Sequence, residues 1–100
     1  MSASIDCEVL TAPPRIVSET RMEFRKAALA FIEGAEAAGA PAVCVDLSET
    51  LEVDASGLGI LVIAQKRSKE LGLPLRLINV PSQVRYLLVL TKLDHLFEIR

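Results

Sequence analysis

The sequence predicts an α/β domain, a small mixed sheet of four or five strands with parallel central strands and about three or four helices. Three observations predict it. Apolar patterns of strand period and helix period alternate along the chain. The run Ala42–Leu47 is nearly continuously apolar, which is what a central parallel strand covered on both faces by helices looks like. The chain has 100 residues, 51% of them apolar but only 4% aromatic and none Trp, which suits one core of closely packed Ala, Val, Leu and Ile side chains. A single domain over residues 1–100 follows.

The elements are justified in order. Ile5 to Leu10 alternates, with Ile5, Cys7 and Val9 on one side and Asp6 and Glu8 on the other, as a half-buried edge strand does. Pro13 and Pro14 then remove two amide donors, leaving Arg15–Val17 as at most a short second strand. Ser18 is the expected N-cap of a first helix, with Glu19 in its first turn. Phe24, Ala28, Phe31, Ile32 and Ala35 recur at helical spacing up to Gly39 and Pro41. After the Ala42–Leu47 strand, a polar stretch from Ser48 to Asp54 leads into a second helix from Gly57 to about Leu71, closed by Gly72 and Pro74. Leu75–Ile78 is a strand. Pro81 opens a third helix with Val84, Leu87 and Leu88 inward, ended by Thr91–His95. Phe97–Ile99 is a last short strand or a tucked tail.

Composition narrows the function. A formal charge of −2, with acids and bases interspersed, offers no basic stripe for nucleic acid and no polybasic segment for anionic lipid. The N-terminus has no basic region followed by an apolar run, and no stretch reaches bilayer-spanning length, so a cytoplasmic protein without membrane insertion is expected. Cys7 and Cys44 lie far apart in apolar strands and read as two buried reduced thiols. With one histidine, His95, no metal site and no cofactor are expected.

In parallel α/β sheets ligands gather beyond the carboxyl ends of the strands, here the loop Ser48–Ser56. Asp54-Ala55-Ser56-Gly57-Leu58-Gly59 places a carboxylate, a hydroxyl and two glycines where loop becomes helix. Ser56 can serve as the cap, accepting from the amide of Leu58 or Gly59, a contact worth about 1 kcal/mol. Gly57 and Gly59 each cost up to about 1 kcal/mol in a first helical turn, tolerated most easily where another surface approaches the backbone. A phosphate on Ser56 would meet the positive end of the helix dipole and unsatisfied amides. On a helical wheel Ile60, Leu61, Ala64, Ser68 and Leu71 fall inward and Lys66, Lys69 and Glu70 outward. Leu58 and Val62 then also land outward, as an apolar docking patch beside Ser56.

Four blocks together resemble the STAS domain family, the small domains of bacterial anti-sigma factor antagonists and sulfate-transporter tails. They are Val45-Asp46-Leu47-Ser48, Asp54 to Gly59, Gly72-Leu73-Pro74-Leu75-Arg76-Leu77, and Leu93-Asp94-His95-Leu96-Phe97-Glu98-Ile99. The resemblance covers roughly residues 42 to 100. The first forty match in pattern only, with Pro13–Glu19 standing where the family has a second strand ending in Gly-x-Leu-Asp.

The resemblance implies a transcription-regulating module that binds an anti-sigma factor which is also a serine kinase. Phosphorylation of Ser56 would switch it off and a phosphatase would restore it. Partner-binding residues would be Asp54, Ser56, Gly57, Leu58, Gly59 and Val62. The alternative is a constitutive STAS subunit docked on the ATPase of an ABC-type lipid transport complex or in a sensory scaffold, with Ser56 as contact and cap only. An enzyme is not expected: Ser56 lacks a Gly-x-Ser-x-Gly frame, and His95 lies at the end of the third helix.

Overall fold

The computed structural model describes residues 7–100. Ile5 and Asp6 of the expected first strand lie outside them. The elements are β1 (Glu8–Thr11), β2 (Arg15–Ile16), α1 (Arg21–Ala37), β3 (Val43–Asp46), β4 (Glu52–Val53), α2 (Ala55–Glu70), β5 (Leu75–Ile78), α3 (Ser82–Leu90), a 3-10 turn (Asp94–Leu96) and β6 (Glu98–Ile99). The α/β fold is as the sequence predicts. Its main sheet has the order β1-β3-β5-β6, and β2 and β4 form a separate two-stranded ladder.

Every described pairing is parallel. The prolines explain why β1 and β2 do not close a hairpin. Pro13 and Pro14 cannot donate to a ladder, and their carbonyls accept instead from the β3–β4 loop: Thr50 Oγ1 to Pro13 at 2.9 Å and the Leu51 amide to Pro14 at 2.7 Å. The chain is thereby turned away from β1, and β2 pairs with β4 in the register Arg15↔Glu52 and Ile16↔Val53.

One core joins the helices to a single sheet face. Val43 and Val45 of β3 and Leu75 and Leu77 of β5 alternate onto that face and cluster with Phe24, Ala28 and Ile32 of α1, Leu61 and Ala64 of α2, and Val84 and Leu88 of α3. Cys44, Asp46, Arg76 and Ile78 have the opposite parity and stand outside this cluster. The expectation that β3 is covered by helices on both faces is therefore corrected. Cys44 is buried without a helix, between Val9 and Arg76 in the ladder. It is also bonded to Cys7, not a free thiol as expected, because parallel pairing of β1 brings two residues 37 apart to a Cα separation of 6.2 Å. In β1 the core-facing residue is Leu10, and Val9 is 49% exposed, the reverse of the expected orientation.

The start of α1 differs from expectation. Ser18 does not cap α1. The helix begins three residues later, and Thr20 folds the preceding turn, its hydroxyl accepting from the Val17 amide at 3.1 Å and donating to the Arg15 carbonyl at 2.9 Å. The helix ends are as the glycines dictate. Gly39 (φ 77°) and Gly72 (φ 70°) adopt the left-handed conformation after α1 and α2, and the next amides reach back to Ala35 and Ser68. Of Phe97–Ile99, the last two residues form the strand β6, parallel to β5, and Phe97 ends the 3-10 turn. No described helix is long and apolar enough to cross a membrane.

Candidate functional site

The site begins with Asp54, which the fold makes the N-cap of α2. Its backbone is extended (φ −106°, ψ −173°) and its Oδ1 accepts from the Gly57 amide at 3.0 Å. Its Oδ2 accepts from the Ser18 amide at 3.1 Å, tying the β2–α1 turn to the start of α2. The carboxylate is held below its ordinary 3.8, first by the Gly57 amide and then by the Ser18 amide, with desolvation opposing. The cap expected at Ser56 is corrected on this ground. The signal was present in the sequence: Asp caps as well as Ser, and Asp54 stands three residues before Gly57, the spacing from cap to third helical amide.

Ser56 is consequently the second residue inside the helix, half-buried with solvent access. A hydroxyl in that position is available for contact or modification, and the helix does not need it as a cap.

The two glycines play different parts. A Cβ on Gly57 would lie 1.9 Å from the Ile16 carbonyl oxygen and 3.0 Å from Val53 Cγ1. The surface that approaches this backbone is thus the protein's own β2–β4 ladder, whereas the sequence reading assigns the space to a visitor. A Cβ on Gly59 would meet nothing within 4 Å, and that position is open to solvent. Leu58 is 4% exposed and belongs to the core, so its outward placement is corrected. The helix starts two residues earlier than expected, and the packed ladder fixes its roll. Val62 is half-buried against the core. Ala55, Ser56, Gly59 and Val62 therefore form a low-relief strip along the outward side of α2, with Asp54 at its end.

The surroundings are electrostatically defined. Arg15 Nε donates to Glu52 Oε1 at 3.0 Å across the β2–β4 ladder, and this pair, with help from Glu19 and Asp54, raises the guanidinium above its ordinary value. Nearby at the carboxyl ends of β3 and β5, Asp46 accepts from the Ser48 amide at 2.9 Å and from Asn79 Nδ2 at 3.1 Å, which lowers its carboxyl. Neither Asn79, in the left-handed region at φ 53°, nor the Ser18 link was foreseen. The chain's one histidine, His95, is exposed in the 3-10 turn. Among the described residues no three His, Cys, Asp or Glu side chains converge as a metal site.

The comparisons give a family and a fold. A family model described as Mlab, STAS domain matches residues 2–98. No curated protein matches the chain in sequence. Of solved structures, a putative anti-sigma factor antagonist from Thermotoga maritima is 23% identical, with a TM-score of 0.75, covering 98% of this chain and 81% of that one. An anti-sigma-factor antagonist (STAS) domain protein from Planctomyces limnophilus is 24% identical with a TM-score of 0.77, covering 91% and 79%. The Bacillus cell fate determinant SpoIIAA in its phosphorylated form is 15% identical with a TM-score of 0.61, covering 92% and 80%. At these identities the structures show a shared fold. The family model spans nearly the whole chain, and the protein belongs to the Mlab STAS domain family.

Proposed function

We propose that this protein is a cytoplasmic, protein-binding regulatory module of the anti-sigma factor antagonist kind, whose partner is an anti-sigma factor with serine kinase activity. The strip from Asp54 through Ser56 and Gly59 to Val62 is the docking surface, with Gly57 and Leu58 shaping it from beneath. Phosphorylation of Ser56 switches it off. The γ-phosphoryl group of ATP passes to the Ser56 oxygen, whose proton is lost as ADP leaves, and a phosphatase returns the hydroxyl by hydrolysis.

The observation that carries this reading is a solvent-accessible hydroxyl on a helix start that is already capped by another residue. A dianion there adds to the Asp54 charge and penalises a contact that must shed water, without unfolding α2.

One observation favours a second reading. Asp54 already occupies the Gly57 amide, so a phosphate on Ser56 would meet a carboxylate where the sequence reading supposed free donors. A constitutive subunit, docked on the ATPase of an ABC-type lipid transport complex or in a sensory scaffold, needs only the hydroxyl. Intact mass after incubation with ATP and the cognate kinase, together with partner binding by Ser56→Asp and Ser56→Ala, separates them. The switch gains one phosphate and Ser56→Asp loses the partner while Ser56→Ala keeps it. The constitutive subunit gains none, and Ser56→Asp still binds.

A further inference from the structure

The outward sides of α1 and α2 carry charged side chains, among them Arg25, Lys26, Glu33, Lys66 and Lys69. That of α3 carries a single one, Arg85. Tyr86, Val89 and Leu90, at positions i, i+3 and i+4, are 68%, 54% and 62% exposed, forming one apolar ridge. Gln83 Nε2 donates to the Leu51 carbonyl at 2.7 Å, which sets Leu51, itself 72% exposed, beside the start of the helix. Exposed apolar side chains gathered in this way mark interaction sites, and Tyr is a preferred anchor in them.

The charges decide the occupant. From Asn79 to Leu93 the chain has no Asp or Glu, and it has two cations, Arg85 and Lys92, in a protein whose overall charge is −2. A second copy packed ridge to ridge would set these cations against themselves, with no carboxylate within α3 to receive them. A membrane surface would gain only about 1 kcal/mol from each of two cations. An added β-strand has nothing to pair with, since the backbone groups of α3 are consumed within the helix. An apolar ridge at helical spacing fits the groove of another helix.

We propose that Tyr86, Val89 and Leu90, with Leu51 beside them, dock an acidic amphipathic helix of a protein partner. The proposal rests on the protein-binding reading above but not on the Ser56 switch, and it names the partner's chemistry. Through Leu51 the ridge continues to the loop that enters Asp54, so both surfaces can face one partner.

Tyr86 is the only tyrosine in a chain without Trp, so its emission reports on the ridge directly. The probes are two aromatic-free synthetic helical peptides with Leu at i, i+3, i+4 and i+7, one flanked by Glu and the other by Lys. The full chain should bind the Glu peptide saturably and about tenfold more tightly than the Lys peptide at low salt, an advantage that shrinks as salt rises. Val89→Ser and Leu90→Glu, both at exposed positions and checked for folding by circular dichroism, should each weaken binding about tenfold. Equal affinity for the two peptides, no saturable change, a Tyr86 response to phosphatidylglycerol vesicles in place of the Glu peptide, or a dimer by sedimentation that Leu90→Glu dissolves would each overturn the proposal. If Ser56→Asp releases the native partner while Leu90→Glu retains it, this proposal fails and the switch stands. If Leu90→Glu releases it and Ser56→Asp does not, the switch fails alone.

Discussion

Alanine at Gly57 and alanine at Gly59, two residues apart in one helical turn, should change stability in opposite directions. At Gly57 the new Cβ falls 1.9 Å from the Ile16 carbonyl oxygen and 2.9 Å from its carbon, about 1.5 Å inside ordinary contact. The obstacle is backbone held in the β2–β4 ladder, so no side-chain rotation relieves it. Overpacking of this kind costs about 1–3 kcal/mol, and the gain in helix propensity returns at most about 1 kcal/mol. A net loss of about 1–2 kcal/mol lowers Tm by roughly 4–16 °C in a domain of this size. At Gly59 nothing lies within 4 Å, only the propensity gain remains, and Tm should rise by roughly 4–8 °C. Urea unfolding and thermal melts followed by far-ultraviolet circular dichroism measure both. A Gly57→Ala protein as stable as wild type, or stabilised like Gly59→Ala, would refute the assignment of Gly57 to internal packing.

Further outcomes follow from the same geometry. Leu58→Ala should destabilise by about 2–5 kcal/mol as a core truncation, while Ser56→Ala should stay within about 0.5 kcal/mol of wild type because it is not the cap; chemical denaturation reads both. The Asp54 carboxyl is depressed in the folded state, so its contribution is complete above the ordinary 3.8 and is lost as pH falls through the lower folded value. Asp54→Asn should therefore be less stable at neutral pH and show a shallower acid limb in a stability–pH titration. Cys7→Ser, which opens the link to Cys44, should cost about 3–4 kcal/mol under non-reducing conditions and nothing further under a thiol reductant. A thiol titration of the untreated chain should find no free sulfhydryl.

Much of the fold was legible because it is local. The period of Phe24, Ala28, Ile32 and Ala35 makes α1, the apolar run at Val43–Asp46 makes β3, and Leu75–Ile78 is β5 as read. Gly39 and Gly72 end their helices because left-handed backbone is open to them without strain. The loop-to-helix junction was legible for the same reason: a carboxylate, a hydroxyl and glycines cluster there.

What the local pattern could not carry was which residues in that cluster face outward. Leu58 is core, Gly57 is filled by Ile16, and Asp54 is held by Ser18, and each fact depends on a strand about forty residues upstream. The Cys7–Cys44 bond likewise exists only because parallel pairing of β1 and β3 brings the two sulfurs together. By itself the amino-acid order determined the kinds of element and where they begin and end within a few residues, since backbone propensity and side-chain period act between near neighbours; the exception is β4, which lies inside the stretch Ser48–Asp54 read as a polar loop. The roll of α2, the route of β2 and the exposed ridge of α3 were decided by tertiary packing, because a side chain's exposure depends on what lies against it, and that comes from distant parts of the chain.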